Sequence, residues 1–357
     1  MTSPLEAFAE EVGGVDAGPV TCRGGGTQWH LGGVASPTAR HVVAPSGVVE
    51  HQPEEMIVRV GAATTVAELQ DCTLAKSQLV ALEADRPEEA TVGGLLACGR
   101  TGLRRLGRGP LRDCVLEVIA VTSTGRLVRS GAPLVKNVTG FDLCRLLVGS
   151  YGSLAFIAEV VLRCVPKPQT ERWFCSQGAD PFEVRSRLYK PLSVLWDGDR
   201  TWVGLAGYEV DVADQAAEVL AAFAEAPGPP PVPAGGTGTR LSLPTGDLRK
   251  LLQAPPGPTL SGGGWLAEIG VGVLHCDPAA SDALVEGGFL PALGAAPPTA
   301  ALGELHRRVK ENFDPSGRLN PSRSPLADHV TPKTTRPNLG GVQEPALRVP
   351  PAGPVKR

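Results

Sequence analysis

Apolar positions recur along this chain with two different periods, and glycine marks most of the places where the period changes. Short strand-like runs come first: His41 to Ala44, Gly47 to Glu50 and Met56 to Val60. Thr65 to Ser77 switches to helical spacing behind a threonine cap. Val115 to Val121 is a continuous apolar run of the kind a buried strand shows, and Ser123-Thr-Gly-Arg126 turns the chain into a second strand, Leu127 to Ser130. Leu143, Leu146 and Leu147 line one face of a short helix that stops at a tight loop, Gly149-Ser-Tyr-Gly152, from which a strand-like stretch, Leu154 to Val165, emerges. This alternation predicts one α+β unit over residues 1–168.

From 169 to 298 the texture changes. Trp173, Trp196, Trp202 and Trp265 stand in alternating, strand-like contexts, and Val212 to Ala226 reads as a helix between them. Pro227-Gly-Pro-Pro-Pro-Val-Pro233 forbids both helix and central strand and predicts a surface linker. The region is expected to be a small α+β cap. Thr299 to Phe313 is a strong amphipathic helix, with Leu302, Leu305, Val309 and Phe313 on one face, and Asp314-Pro-Ser-Gly317 closes it. Residues 299–323 form a C-terminal helix and closing segment. From Ser324 to 357, proline, glycine and charge without apolar period predict a disordered tail. No internal repeat is visible.

At 357 residues with 42% hydrophobic content the chain can bury a sizeable core. With a net charge of −3 and a pI near 6.1 nothing suggests a nucleic-acid or anionic-membrane partner, and an aromatic fraction of only 4% argues against a base-stacking surface. No apolar run approaches the roughly 18 residues of a membrane span, and the N-terminus lacks a basic region followed by an apolar core. The eight cysteines include no Cys-x-x-Cys pair and several sit in apolar runs, so they read as reduced core thiols of a cytoplasmic protein.

Three glycine-dense segments carry the candidate chemistry. In Arg23-Gly-Gly-Gly-Thr27, successive backbone N–H groups could point into one concavity and hold a diphosphate, with Thr27 adding a hydroxyl; the plain alternative is a flexible turn. It is neither a Walker loop nor a G-x-G-x-x-G fingerprint. Thr91-Val-Gly-Gly-Leu-Leu-Ala97, with Gly99 and Gly102 after it, is either a capped helix end packed closely through its glycines or an anion site at that same end. Arg104 and Arg105 suit a cofactor phosphate or Asp113, and a solvent-facing role equally. Gly149, Ser150 and Gly152 let backbone pass near a ligand that a Cβ would block, whereas Asp142 and Arg145 could simply cap and decorate a helix. The six scattered histidines offer no metal-ligand spacing, so no metal is expected, and the missing Gly-x-Ser-x-Gly elbow argues against a hydrolase.

Taken together these segments resemble the vanillyl-alcohol-oxidase-type, or PCMH-type, FAD-binding family, and more narrowly the FAD-binding E subunits of bacterial glycolate oxidases. The resemblance is carried by Arg23–Thr27, Ala90–Ala97, Thr101–Arg105, Gly109–Asp113, Val135–Leu154 and the ending Leu305–Pro321 with its Phe-Asp-Pro-x-Gly-x-Leu-Asn-Pro core. It spans roughly residues 20–323, and between 169 and 298 it rests on pattern alone, including the Trp196-Asp-Gly-Asp-Arg-Thr-Trp202 hairpin. It implies an α+β fold of two PCMH-type subdomains with a small α+β cap, and FAD between the subdomains. The implied cofactor-binding residues are Arg23, Gly24, Gly25, Gly26, Thr27, Thr91, Gly93, Gly94, Gly99, Gly102, Arg105, Gly109, Asp113, Gly140, Asp142, Gly149, Ser150, Gly152, Ile157 and Asn320. Among them Gly24–Gly26, Gly93 and Gly94 would cradle the pyrophosphate. Gly149, Ser150 and Gly152 would follow the ribityl and adenine side with the Ile157 backbone, and Asn320 would sit by the isoalloxazine. Tyr151 stands where relatives often carry Leu or Glu, and Ala155 where they carry Gly. Arg323 fits nothing in the motif.

Oxidising a 2-hydroxy acid needs a cation for the carboxylate, a base for the hydroxyl proton and a flavin to accept the hydride. The larger subunits of this family bring a His-rich segment for the first two tasks; here His275 and His306 look isolated, and no catalytic residue is assigned. The resemblance therefore implies an FAD subunit of a multi-subunit glycolate (2-hydroxy acid) oxidase, with a larger FAD subunit and an iron–sulfur subunit as partners, held at the inner membrane through them if at all. Two alternatives stand beside it: a self-sufficient flavin oxidase with a cap residue such as Tyr208 at the flavin face, and a scaffold that no longer holds flavin. A covalent flavin link would need a His or Cys next to the flavin ring, for which His30 and Cys98 are candidates.

Overall fold

The computed structural model describes residues 2–133, 142–233, 238–244, 248–249, 264–281 and 300–325. The whole Val135–Phe141 segment, Gly140 included, and the expected tail from 326 on lie outside the described residues.

The N-terminal unit is organised by a single long strand. In chain order its elements are α1 (Pro4–Val12), β1 (Val20–Cys22), β2 (Arg40–Val42), β3 (Val48–Gln52), β4 (Ile57–Gly61), α2 (Val66–Leu74), β5 (Gln78–Val80), α3 (Val92–Cys98), α4 (Arg105–Arg108), β6 (Val115–Val121), β7 (Leu127–Gly131), α5 (Leu143–Leu147) and β8 (Phe156–Pro166). β8 runs through the centre of a six-stranded sheet of order β3-β4-β8-β6-β7, with β5 also pairing β8, and every pairing is antiparallel. Both faces of β8 are covered, which is why its sequence is almost uninterrupted apolar residues rather than an alternation. Val160 and Leu162 meet Val66 and Leu69 of α2 and Leu95 and Leu96 of α3 in one core. The acid that interrupts the run, buried Glu159, is answered by Arg59 on β4 at 2.9 Å, and the same guanidinium reaches Glu117 on β6 at 2.9 Å.

A smaller parallel pair, β1 with β2, lies beside this sheet and is completed by the far end of the chain. Val20 N–H donates to Arg318 O and Asn320 N–H donates to Val20 O, both at 2.9 Å. Phe8 and Val12 of α1 pack there against Val121, Phe156 and Leu319.

The second sheet has seven strands, all antiparallel: β9 (Thr170–Gln177), β10 (Ser193–Trp196), β11 (Arg200–Gly207), β12 (Ala224–Ala226), β13 (Thr239–Ser242), β14 (Trp265–Glu268) and β15 (Val273–Cys276), in the order β12-β9-β11-β10-β14-β15-β13. The Trp196–Trp202 hairpin forms as the sequence suggests, its turn fixed by Asp197, whose carboxylate accepts from the amides of Asp199 and Arg200. Helices α6 (Pro181–Arg187) and α7 (Glu209–Val219) cover one face, over a core in which Trp196 and Trp265 meet edge-on at 5.1 Å. The other face carries Trp173, Leu195, Trp202 and Leu266, and Leu103 of the first unit packs into it.

One expected element is corrected. The helix foreseen over Val212–Ala226 ends at Val219, and Ala224–Ala226 is instead the edge strand β12, paired with Cys175, Phe174 and Trp173 of β9. Alanine favours helix locally, but the open edge of β9 offers ladder hydrogen bonds that outweigh that preference. The C-terminal helix α8 (Ala300–Phe313) matches its expectation in extent. In the second half of its apolar stripe Val309 and Phe313 pack on the main core, whereas Leu302 and Leu305 are 39% and 54% exposed.

Candidate functional site

A cleft opens where β1, the start of α3, the 150–157 segment and the C-terminal return converge. It is lined by Cys22 through Trp29, Ala62 and Ala63, Thr91, Gly93, Gly94, Ala97 and Cys98, Ser150 to Gly152, Ala155 to Ile157, Asn320 and Arg323. Its first wall is the 23–27 loop. Arg23 N–H is still bonded to Val42 O, but the next four amides, Gly24 to Thr27, donate to nothing among the described residues. Four successive open backbone donors in one loop are the groups from which an anion-binding concavity can be built. The loop is pressed flat against its neighbour: a Cβ on Gly25 would stand 1.6 Å from Glu89 O, and one on Gly24 would stand 2.2 Å from Thr91 Oγ1. No side chain fits there, so glycine is a packing requirement.

The second glycine segment works differently from the first. Thr91 caps α3, accepting from Gly94 N–H at 3.2 Å, while Val92 N–H donates to Thr64 O and Gly93 N–H to Ala62 O. The first-turn donors of α3 are thus spent inside the protein, and the close-packing reading of this motif prevails over the anion-site reading. Gly93 lies against Ala62, where a Cβ would come within 2.7 Å, and this contact shapes the floor of the cleft.

The third wall is held under backbone strain. Tyr151 has φ +54° and Asn320 φ +42°, the left-handed region that Asn tolerates and Tyr rarely adopts. Asn320 stabilises both: its side-chain amide donates to Tyr151 O at 2.5 Å and its Oδ1 accepts from Cys22 N–H at 3.1 Å. Tyr151 N–H in turn donates to Ala97 O at the end of α3. Arg323, to which the sequence assigned nothing, is buried here. Its guanidinium lies 4.1 Å from the Trp29 ring centroid and donates to the carbonyls of Trp29 and Leu31, with Arg23 also over that ring at 5.1 Å.

Twelve of the residues proposed from sequence therefore meet at one cleft: Arg23, Gly24, Gly25, Gly26, Thr27, Thr91, Gly93, Gly94, Ser150, Gly152, Ile157 and Asn320. The rest of those that are described lie elsewhere. Gly99 ends α3 at φ +66° against Gly149, so these two glycines let backbone meet backbone. Gly102 abuts Glu83, Arg105 opens α4 and Gly109 closes it. Asp113 and Asp142 are surface groups that share Arg145, and Asp142 also caps α5. Arg104 turns away from Asp113 and bonds Glu171 of β9 at 2.6 Å. With Arg108, Glu83 and the Trp173 indole it forms an ionic cluster joining the two units. Burial raises the Glu83 carboxyl above its usual range. Burial acts the same way on Glu171, but hydrogen bonds from Arg104 and Trp173 outweigh it and hold that group low. Trp29, Ala62, Ala63 and Phe156 had no motif to reveal them; only the fold brings them to the cleft.

The Cys22 thiol on the cleft wall is pushed up to about 12, by burial above all. At pH 8 its thiolate fraction then falls about a thousandfold or more below that of a free cysteine. Iodoacetamide labelling followed by peptide mass mapping is expected to leave Cys22 unmodified while exposed cysteine in a reference peptide reacts fully; equal rates would contradict this.

These features define a cleft lined by open backbone amides, and comparison with known proteins shows what the chain is similar to. Residues 16–131 match the family model described as FAD binding domain. Over 335 residues the chain is 28% identical to glycolate oxidase subunit GlcE of Escherichia coli (strain K12), covering 86% of this chain and 93% of that protein. It is also 30% identical over 158 residues to glycolate oxidase subunit GlcD of Bacillus subtilis (strain 168), of which it spans 33%. In three dimensions it is similar to alkyldihydroxyacetonephosphate synthase, with a TM-score of 0.63 over 89% of this chain and 73% of that one at 14% identity, a likeness of fold alone.

Proposed function

We propose that the chain is the FAD-binding subunit of a multi-subunit glycolate (2-hydroxy acid) oxidase, acting in oxidation of a CH–OH group. The observation that carries this is the run of four open amides at Gly24–Thr27, in a segment that matches the FAD binding domain family model. Bound FAD supplies a two-electron acceptor. This chain's residues hold it: the 24–27 amides take the diphosphate charge, Ala62, Ala63 and Gly93 give a floor without bulk, and Asn320 keeps the Tyr151–Gly152 backbone in place. Likeness to both GlcE and GlcD supports a partner resembling the larger protein, and an iron–sulfur subunit would take the electrons onward. Among the described residues no helix is long and apolar enough to cross a membrane and no His/Cys/Asp/Glu group could hold a metal ion. We place the subunit in the cytoplasm, meeting the inner membrane only through partners.

Tyr208, the residue that would have favoured a self-sufficient oxidase, is 67% exposed at the start of α7 and lines no part of the cleft. The purified full chain is expected to be yellow and to release FAD on heating. A chain that stays colourless with excess FAD sinks the proposal. Glycolate-dependent dye reduction should appear only on co-expression with the larger flavin subunit and the iron–sulfur subunit; full turnover by the chain alone would overturn the subunit reading.

A further inference from the structure

A second cavity of about 280 Å³ adjoins the cleft, and Gln28 lines both. It lies between the two units, walled by Glu83, Asp85, Arg100 and Arg104 on one side and by Arg240, His275 and the Pro229–Val232 stretch on the other. That volume falls at or below the low end of drug-sized pockets, roughly 300–1,000 Å³, so it suits a ligand of a few heavy atoms.

The strand register explains what the cap presents there. Arg240 of β13 stands directly opposite His275 of β15, and His275 opposite Leu266 of β14. Directly paired residues share a face. Leu266 belongs to the cluster that receives Leu103, so this is the face turned toward the first unit. Glu268, two residues on from Leu266 and 1% exposed, holds the His275 ring through Nε2 at 2.8 Å. His275 is therefore not the isolated histidine the sequence suggested.

Arg240 has no such partner. Its Nε and Nη2 are closed off from solvent and bond to nothing among the described residues, as is also true of Gln28 Oε1 and Glu268 Oε2. Burial lowers its pKa, with Glu268 opposing that effect and Arg100 and Arg105 reinforcing it. Of the cations at the cavity, Arg104 is already committed to Glu83 and Glu171. The acids facing the space are Asp85 and Glu83, the latter also bonded by Arg108. A guanidinium with two buried, unused donors is costly, and because both are closed even to water, an acceptor reaches them once the Arg240 side chain turns toward the cavity it lines.

We infer that this cavity is a carboxylate-binding subsite beside the flavin cleft, in which Arg240 anchors the anionic end of a short hydroxy or oxo acid. The inference deepens the reading of the chain as a hydroxy-acid oxidoreductase subunit and rests on it for the choice of ligand class. It gives this chain an acid-binding site of its own, whatever the partner subunit contributes.

The test is calorimetric titration of oxalate, a carboxylate that cannot be oxidised here by hydride loss, into the full chain both as purified and after saturation with FAD. Saturable binding is expected. Arg240→Met should weaken it about tenfold or more, Arg240→Lys should restore part of it, and Arg112→Met on the surface should leave it unchanged. Thermal melts of each variant identify a folding failure, in which case the Lys variant decides. Equal affinity in the parent and Arg240→Met, or no binding by the parent at millimolar oxalate, overturns the inference. A flavin-loaded chain that ignores oxalate sinks this inference and leaves the FAD reading intact; a flavin-free chain with Arg240-dependent binding does the reverse.

Discussion

Gly25→Val is expected to cut the flavin-to-protein ratio of the purified chain at least tenfold while leaving the protein folded. The added Cβ would have to occupy the position of Glu89 O, 1.6 Å away, and the obstacle is backbone. Glu89 cannot retreat easily, because Ala90 N–H is bonded to Arg86 O and Ala90 O to Val66 N–H, which locks this turn to α2. The loop itself must move, and with it the four amides that make the anion site. Overpacking of this kind costs about 1–3 kcal/mol. Applied to binding, that span is roughly a 5- to 150-fold loss, and valine's branched side chain puts this variant at the upper end. Flavin absorbance per mole of protein, read with a far-UV melting curve, separates loss of cofactor from loss of fold. Gly303→Ala, on α8 where a Cβ meets nothing within 4 Å, should keep both. Full flavin content in Gly25→Val would mean that the 24–27 loop does not hold the diphosphate.

Arg318→Met should be the most destabilising single change in the C-terminal return, by about 3–5 kcal/mol. Arg318 is 3% exposed, and its guanidinium donates to four carbonyls drawn from three separate stretches: Val12 at 2.7 Å, Gly13 at 2.9 Å, Gly18 at 2.9 Å and Ser123 at 3.0 Å. Methionine approximates its length but supplies no donor, so most of these acceptors lose their partner at about 1–3 kcal/mol for each left unsatisfied. Val12 O is partly spared because Arg40 also reaches it at 3.3 Å. Neighbouring bonds act in concert: Asp314 accepts from Arg318 N–H and Leu319 N–H, and Lys310 binds Asp314, Ser153 O and Leu319 O. Denaturant unfolding should show a lower midpoint and a flavin lost earlier than the main transition. An unchanged midpoint would show that water replaces the guanidinium without cost.

The long periodic segments were legible in the sequence because local pattern and tertiary burial agree in them: β6, β8, α8 and the Trp196–Trp202 hairpin all form where expected. The Ala-rich stretch after α7 was misread because strand pairing with β9 is a non-local fact. Glycine told where backbone comes close, but not to what. At Gly24–Gly26 the close approach shapes the cleft, whereas at Gly99 and Gly149 two glycines simply face one another. Arg323, Arg240 and Glu268 carry no signal along the chain for the opposite reason. Each gains its significance from a partner across the fold, Trp29 or the β13-β15-β14 register, and no spacing along the chain announces that.

The strap formed by residues 318–320 beside β1 also bears on when the protein can acquire its cofactor. Val20 exchanges hydrogen bonds with Arg318 and Asn320, and the Tyr151 wall depends on Asn320. During synthesis the N-terminal half would emerge from the ribosome and pair its central sheet while this third wall was still untranslated. The cleft is consequently completed late in biogenesis, and an elongating chain arrested within the cap would lack the residue that braces the Tyr151 wall.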